Sequence, residues 1–151
     1  TLSPQNAFYI LNGIETLNLR MKKHSDNALT VAKYLQNHPK VRSVSYAGLK
    51  NNKYYNLGKK YFPHGVGSIF TIKLKNGYKA CVSMVEKANL LSHVANVGDT
   101  RSLIIHPAST THSQLSDEEK IKAGAGPDII RLSIGLEDVE DIISDIDYSI
   151  N

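Results

Sequence analysis

Near the end of the chain the stretch AGAGPDIIRLSIGLEDVEDIISDI, residues 123–146, carries one cation, Arg131, inside a run of apolar residues. The run is short and rich in isoleucine and leucine, so it reads as a strand. A strand period of two places Ile130, Leu132 and Ile134 on one face and Ile129, Arg131 and Ser133 on the other. With the apolar triplet turned to a core, Arg131 points the opposite way, toward solvent or toward a cleft. A guanidinium in a cleft presents paired N–H donors that match a carboxylate bidentately, which makes Arg131 a candidate anion-binding residue. On an open sheet face it would be only a solvated arginine.

Other chemistry-bearing residues are sparser. Cys81 is the only cysteine, with no partner for a disulfide and no second thiolate for a zinc site, and the chain reads as that of a reducing, cytoplasmic protein. His93, Asp99, His106 and His112 could be considered as metal ligands, but their spacings match no ligand pattern, and no metal is expected. His106 precedes Pro107 at the end of an apolar run and reads as a structural histidine closing a strand.

These residues need elements to position them. The segment SPQNAFYILNGIETLNLRMKKHSDNALTVAKYLQNHP has Ser3 as an N-cap, Pro4 at the first helical position and Pro39 at the far end. Between them Ala7, Ile10, Ile14, Leu17, Met21, His24, Ala28, Val31 and Leu35 form one stripe at helical spacing. The expectation is a single long helix within residues 1–38. At 1.5 Å per residue it would be roughly 50 Å long. A domain of this size has a radius of gyration of only about 15 Å. Its first half should therefore pack on something outside the domain formed by residues 39–151. Because the chain also begins at Thr1, it is expected to be part of a longer polypeptide, although a processed whole protein would begin the same way.

Further along, VRSVSYA should be a strand with Val41, Ser43 and Ser45 on one face, NNKYYNLGKKYF a short helix, and GSIFTIKLK a strand with Phe70, Ile72 and Leu74 opposed to a wet face of Ile69, Thr71 and Lys73. YKACVSMVEKANLL reads as a helix, HVANV and SLIIH as short strands, and Ser116 to Glu119 as the capping-box start of a short helix. LEDVEDIISDI is the last helix, with Glu137, Asp138, Glu140 and Asp141 favourably placed toward its N-terminal dipole. The fold class is α+β: a small, mainly antiparallel sheet covered by helices on one face, behind a long N-terminal helix.

Composition sets the outer limits. The chain has 151 residues, 41% hydrophobic and 21% charged, enough for one domain with a proper core. No run of eighteen apolar residues exists to span a membrane, and the N-terminus has no signal-peptide pattern. The net charge of +4 hides a polarity. Residues 1–80 carry 13 Lys/Arg against 2 Asp/Glu, and residues 81–151 carry 5 against 12. RMKKH and KNNKYYNLGKKYF mix lysines with tyrosines as single-strand nucleic-acid binders do, but the acidic second half opposes wide contact with phosphates, and no nucleic-acid partner is expected. A free-standing regulatory or oligomerisation module of the same fold is the rival reading.

The segments ANVGDTRSLIIHPASTTHSQLS (95–116) and AGAGPDIIRLSIGLEDVEDIISDI (123–146) resemble the C-terminal domain of the pyridoxal-phosphate enzymes of cysteine and methionine metabolism, most of all the O-acetylhomoserine sulfhydrylases, and the opening SPQNAFYILNGIETLNLRMKKHSDNA resembles the long helix that links their cofactor domain to it. The likeness covers essentially the whole chain and is weakest around residues 48–64. It implies that Arg131 binds the α-carboxylate of an amino-acid substrate, that Asn96 lies near that carboxylate and can donate to it, and that Thr111 orients the arginine. It implies pyridoxal phosphate as cofactor in the full-length enzyme, with the cofactor's lysine before Thr1. No catalytic or cofactor-binding residue is then expected within this chain, and the chain alone should be inactive. The implied partners are the N-terminal cofactor domain of the same polypeptide and further copies in a homo-oligomer, a tetramer. Methionine γ-lyase, cystathionine γ-synthase and cystathionine lyase share these features and stay open as alternatives.

Overall fold

The computed structural model describes residues 1–151. Elements follow in the order α1 (Pro4–Glu15), α2 (Leu17–Gln36), β1 (Val41–Ser45), α3 (Tyr55–Tyr61), β2 (Ile69–Leu74), α4 (Gly77–Lys87), β3 (Leu103–Ile105), a 3-10 turn (Pro107–Ser109), α5 (Asp117–Lys122), β4 (Ile129–Ser133) and α6 (Val139–Ile150). The four strands form one antiparallel sheet in the order β1-β2-β4-β3. The α+β expectation holds. No helix is long and apolar enough to cross a membrane.

Alternation builds the core. Register pairs Phe70 with Leu132 and Ile72 with Ile130, and Ile104 with Leu132, so one sheet face presents a continuous apolar surface. Onto it pack Ala28, Val31, Ala32 and Leu35 of α2, Cys81, Met84 and Val85 of α4, and Ile142 and Ile146 of α6. Each of these helices contributes an amphipathic stripe, and the three bury it against the sheet and one another. Burial pushes the Cys81 thiol up to about 12, with Asp128 adding to the shift, so the cysteine is an inert core residue.

Three local expectations differ from the structure. The long N-terminal helix is interrupted at Thr16, giving α1 and α2. There the Arg20 guanidinium donates to the Gly13 carbonyl and its Nε to the Thr16 hydroxyl (3.3 Å), drawing acceptors out of the helical ladder beside a glycine and a β-branched residue. In β1 the register shifts between Val41 and Ser43, so Val41 is buried and Val44 packs on the core, rather than Val41 sharing a face with Ser43 and Ser45. One extra residue in a strand turns every later side chain to the other face. HVANV is not a strand but an exposed loop, with only an isolated parallel bridge from Ser92 to Leu103. Asn96 Oδ1 accepts from the Val97 N–H (2.8 Å), a local bond that competes with a ladder.

α1 has no buried residue at all. Leu2, Phe8, Tyr9, Ile10, Leu11 and Ile14 are each more than half exposed. α2, by contrast, is tied down by its own polar residues. His24 is fully buried and its Nδ1–H donates to the Ile134 carbonyl (2.6 Å), while Asn27 Nδ2 donates to the carbonyls of Gly135 (3.1 Å) and Glu137 (2.9 Å). The stretch following β4 is thereby anchored to α2.

Candidate functional site

Ile130 and Leu132 are fully buried on the helix side of β4, as their alternation predicts, and Arg131 faces the other way. That second face is buried on its β3 side. Ile129 and Ser133 are buried, as are Leu103 and Ile105 of β3, and only Arg131 in β4 is half-exposed. Its cross-strand neighbours are Thr71 on β2 and Ile105 on β3. The guanidinium thus rises where the buried β3 side of this face meets its wetter half, on which Thr71 is half-buried and Lys73, Ser43 and Ser45 are exposed.

The loop before β3 reaches over this surface. Arg131 Nη2 donates to the backbone carbonyl of Asn96 (2.9 Å), which fixes the fork while leaving its other N–H groups free. Structure therefore joins Arg131 to Asn96, but through the main chain. The Asn96 amide donates to Asp99 Oδ2 (3.3 Å). Asp99 in turn accepts from the Arg101 N–H (3.0 Å) and Nε (3.4 Å), and these bonds, led by the backbone one, hold its carboxyl below the ordinary carboxylate value. Thr111 is not brought into hydrogen bonding with Arg131; its hydroxyl pairs with His112 Nδ1 (2.8 Å).

Behind the loop lies a connected set of polar groups. The Ser102 N–H donates to Glu137 Oε1 (2.6 Å), the Ser102 hydroxyl to Glu137 Oε2 (2.9 Å), and the Gly135 N–H to Ser102 Oγ (2.8 Å). The Leu136 N–H donates to the Thr100 carbonyl (2.8 Å). A Cβ on Gly135 would meet the Glu137 carboxylate, and would lie 2.5 Å from both Arg101 C and Ser102 N, so only glycine permits this approach. Glu137 had read as a dipole-complementing acid of α6. Asp138 takes the capping role instead, accepting from the Glu140 N–H (2.9 Å). The Ser102–Glu137 pairing has no signature in the sequence, because its partners lie 35 residues apart.

His106 is a strand-end residue: Nδ1 pairs with Ser109 Oγ (2.9 Å) and Nε2 with the Pro127 carbonyl (3.1 Å), and Tyr78 meets its ring edge-on at 4.9 Å. His93, Asp99, His106 and His112 form no shared ligand set. In the basic-aromatic stretch Lys53, Lys59 and Lys60 lie over the rings of Tyr54, Tyr55 and Tyr61 at 4.7, 5.4 and 5.3 Å. The lysines there are engaged by neighbouring tyrosines.

Over residues 1–151 the chain matches the family described as Cys/Met metabolism PLP-dependent enzyme. It belongs to that family. The O-acetyl-L-homoserine sulfhydrylase of Leptospira meyeri is 47% identical over 150 residues, covering 99% of this chain and 34% of that protein. The L-methionine gamma-lyase of Fusobacterium nucleatum is 41% identical over 149 residues, covering 99% of this chain and 38% of that protein. Among solved structures, a Campylobacter jejuni protein described as an O-acetylhomoserine (thiol)-lyase superposes with a TM-score of 0.91 at 47% identity, over 99% of this chain and 36% of that one; it carries N'-pyridoxyl-lysine-5'-monophosphate. The chain spans about a third of the length of these relatives.

The residues around Arg131 suit one partner of this family's chemistry better than the other. Neither Thr71, Ile105 nor the loop 92–102 supplies a lysine amine for a cofactor aldehyde. Arg101, the loop's only cation, is turned to Asp99. What the site offers is a guanidinium with one N–H group held by the Asn96 carbonyl, a group that matches a carboxylate or a phosphate, and no amine for the cofactor aldehyde.

Proposed function

We propose that this chain is the substrate-carboxylate domain of a pyridoxal-phosphate enzyme that converts O-acetylhomoserine and sulfide, or methanethiol, into homocysteine, or methionine, and acetate. The observation that carries the reading is the Arg131 fork, held by the Asn96 carbonyl beside the buried β3 side of the sheet with donors to spare. Relatives named O-acetyl-L-homoserine sulfhydrylase at 47% identity support this substrate over that of the methionine gamma-lyase at 41%. In this reading the lysine that bears the cofactor belongs to the rest of the polypeptide, and residues 1–151 alone are inactive. The uncovered apolar surface of α1 supports residues 1–38 as the connection to that cofactor domain, with residues 39–151 forming the carboxylate domain and full-length chains assembling as a tetramer.

Pyridoxal phosphate supplies the electron sink when bound. The part played by this chain is binding and orientation. A bidentate charge-assisted pair at a half-exposed position contributes on the order of 2–3 kcal/mol. Arg131→Ala in the full-length enzyme should therefore raise KM for O-acetylhomoserine by roughly 30- to 150-fold. Arg131→Lys, which keeps the charge and loses the fork, should recover only part of it. A KM within twofold of the parent for Arg131→Ala would remove Arg131 from the substrate site. Product analysis with O-acetylhomoserine plus sulfide, against methionine alone, separates the sulfhydrylase from the lyase.

A further inference from the structure

The grip of Arg131 depends on where the Asn96 carbonyl stands, and that carbonyl lies on an exposed loop, residues 93–97, with few bonds of its own. The loop is fastened at its far end, at Ser102, where the structure concentrates its polar connections. Ser102 is fully buried, and the carboxylate bound to it comes from Glu137, four residues beyond the end of β4, the strand that carries Arg131. From this geometry we infer that Glu137 is a positioning residue for the substrate carboxylate: by clamping Ser102 it sets the Asn96 carbonyl against the Arg131 guanidinium. The inference rests on the carboxylate reading of Arg131.

Hydrogen-bond directions show why a carboxylate is needed. The Gly135 N–H donates to Ser102 Oγ, the Ser102 O–H donates onward to Glu137 Oε2, and the Ser102 N–H donates to Oε1. Both oxygens of Glu137 face donors. A glutamine of the same shape can keep its oxygen on the Ser102 N–H only by turning its NH2 group to Ser102 Oγ, which then accepts twice and leaves the Ser102 hydroxyl hydrogen without the carboxylate it donated to. The relay closes a ring that runs from Arg131 along the backbone to Gly135, across Ser102, back through the loop to Asn96, and to Arg131 again. The Leu136 N–H bond to the Thr100 carbonyl and the two Asn27 bonds brace the same ring from either side, so a displaced Ser102 shifts the loop and not β4. A residue acting in this way changes how well the arginine binds and leaves the chemical step to others.

The test is a double-mutant cycle in the full-length enzyme, with O-acetylhomoserine as the variable substrate and thermal unfolding followed alongside. Glu137→Gln is expected to raise KM about fivefold or more with kcat within about twofold, and on an Arg131→Ala background to change KM by less than about twofold, because the guanidinium it positions is gone. Glu137→Asp, which retains two acceptor oxygens on a shorter arm, should fall between parent and Glu137→Gln. If Glu137→Gln is too poorly folded to assay, Ser102→Ala is measured in the same cycle and the same non-additivity is required of it. Should Arg131→Ala raise KM while the clamp variants leave it unchanged, or change it by the same factor in both backgrounds, the positioning role is overturned and the carboxylate reading stands. Should Arg131→Ala itself leave KM unchanged, the carboxylate reading fails, and the role of Glu137 fails with it.

Discussion

A buried histidine with both nitrogens occupied is a pH-dependent burden on the fold. Burial lowers the pKa of His106 below its ordinary value of 6.5, opposed by the bond to the Pro127 carbonyl and aided by Lys120. The folded chain therefore holds His106 neutral where the unfolded chain binds a proton. Stability from this site is fully present above about pH 6.5 and is lost as pH falls through that value toward the depressed folded pKa. Urea unfolding near pH 7.5 and near pH 5.5 should show a smaller loss for His106→Gln than for the parent, since the other groups contribute equally to both proteins. Equal losses would mean that His106 titrates normally. Asp147 acts in the same direction at lower pH. Tyr34 (2.7 Å) and His38 (3.1 Å) donate to its carboxylate and hold its pKa below 3.8, led by the Tyr34 bond, so its contribution is present at neutral pH and lost only in strong acid. Tyr34 is pushed up to about 12 by burial and by this same carboxylate.

At the level of elements, β4 and its continuation do more than any other segment. Five residues hold the core with Ile130 and Leu132 and present Arg131 on the reverse side; the next few dock His24, Asn27, Ser102 and Thr100. Gly135 is the point at which the loop and the strand extension pass closest. Gly135→Ala forces its Cβ against the backbone of Arg101 and Ser102, where nothing flexible can move aside, and should destabilise the protein by about 2–3 kcal/mol. A urea midpoint within error of the parent would show that the two backbones can separate at little cost. α5 is the contrasting case: its capping box is complete, with Ser116 Oγ accepting from the Glu119 N–H (3.3 Å) and the Glu119 carboxylate accepting from the Ser116 N–H (2.9 Å), yet it buries none of its residues. Local chemistry alone defines that helix.

Across the whole molecule, α1 is the long helix that buries none of its apolar residues, while α2, α4 and α6 each bury a stripe against the sheet. With only residues 1–151 present, α1 amides should exchange with solvent as fast as fraying ends, and those of α2 around Val31 and Leu35 should be protected. In the full-length enzyme α1 should become protected as well; persistent fast exchange there would rule out its packing on the remainder of the polypeptide. The paired prolines, the capping signals and the two-residue period of the strands were enough to delimit most elements, because each depends on contacts within a few residues. The same period put Arg131 opposite the core before any coordinates did, and the residue motifs around it resembled the family to which the chain belongs. What the linear order could not contain was decided by distant contacts. The face of Val41 follows from a register shift against β2, whereas the break at Thr16 comes from a near contact, Arg20 reaching back to Gly13 and Thr16 on an unsupported helix. The carbonyl that holds Arg131 and the carboxylate that clamps Ser102 each come from 35 residues away, and only the folded chain brings such groups within hydrogen-bonding distance.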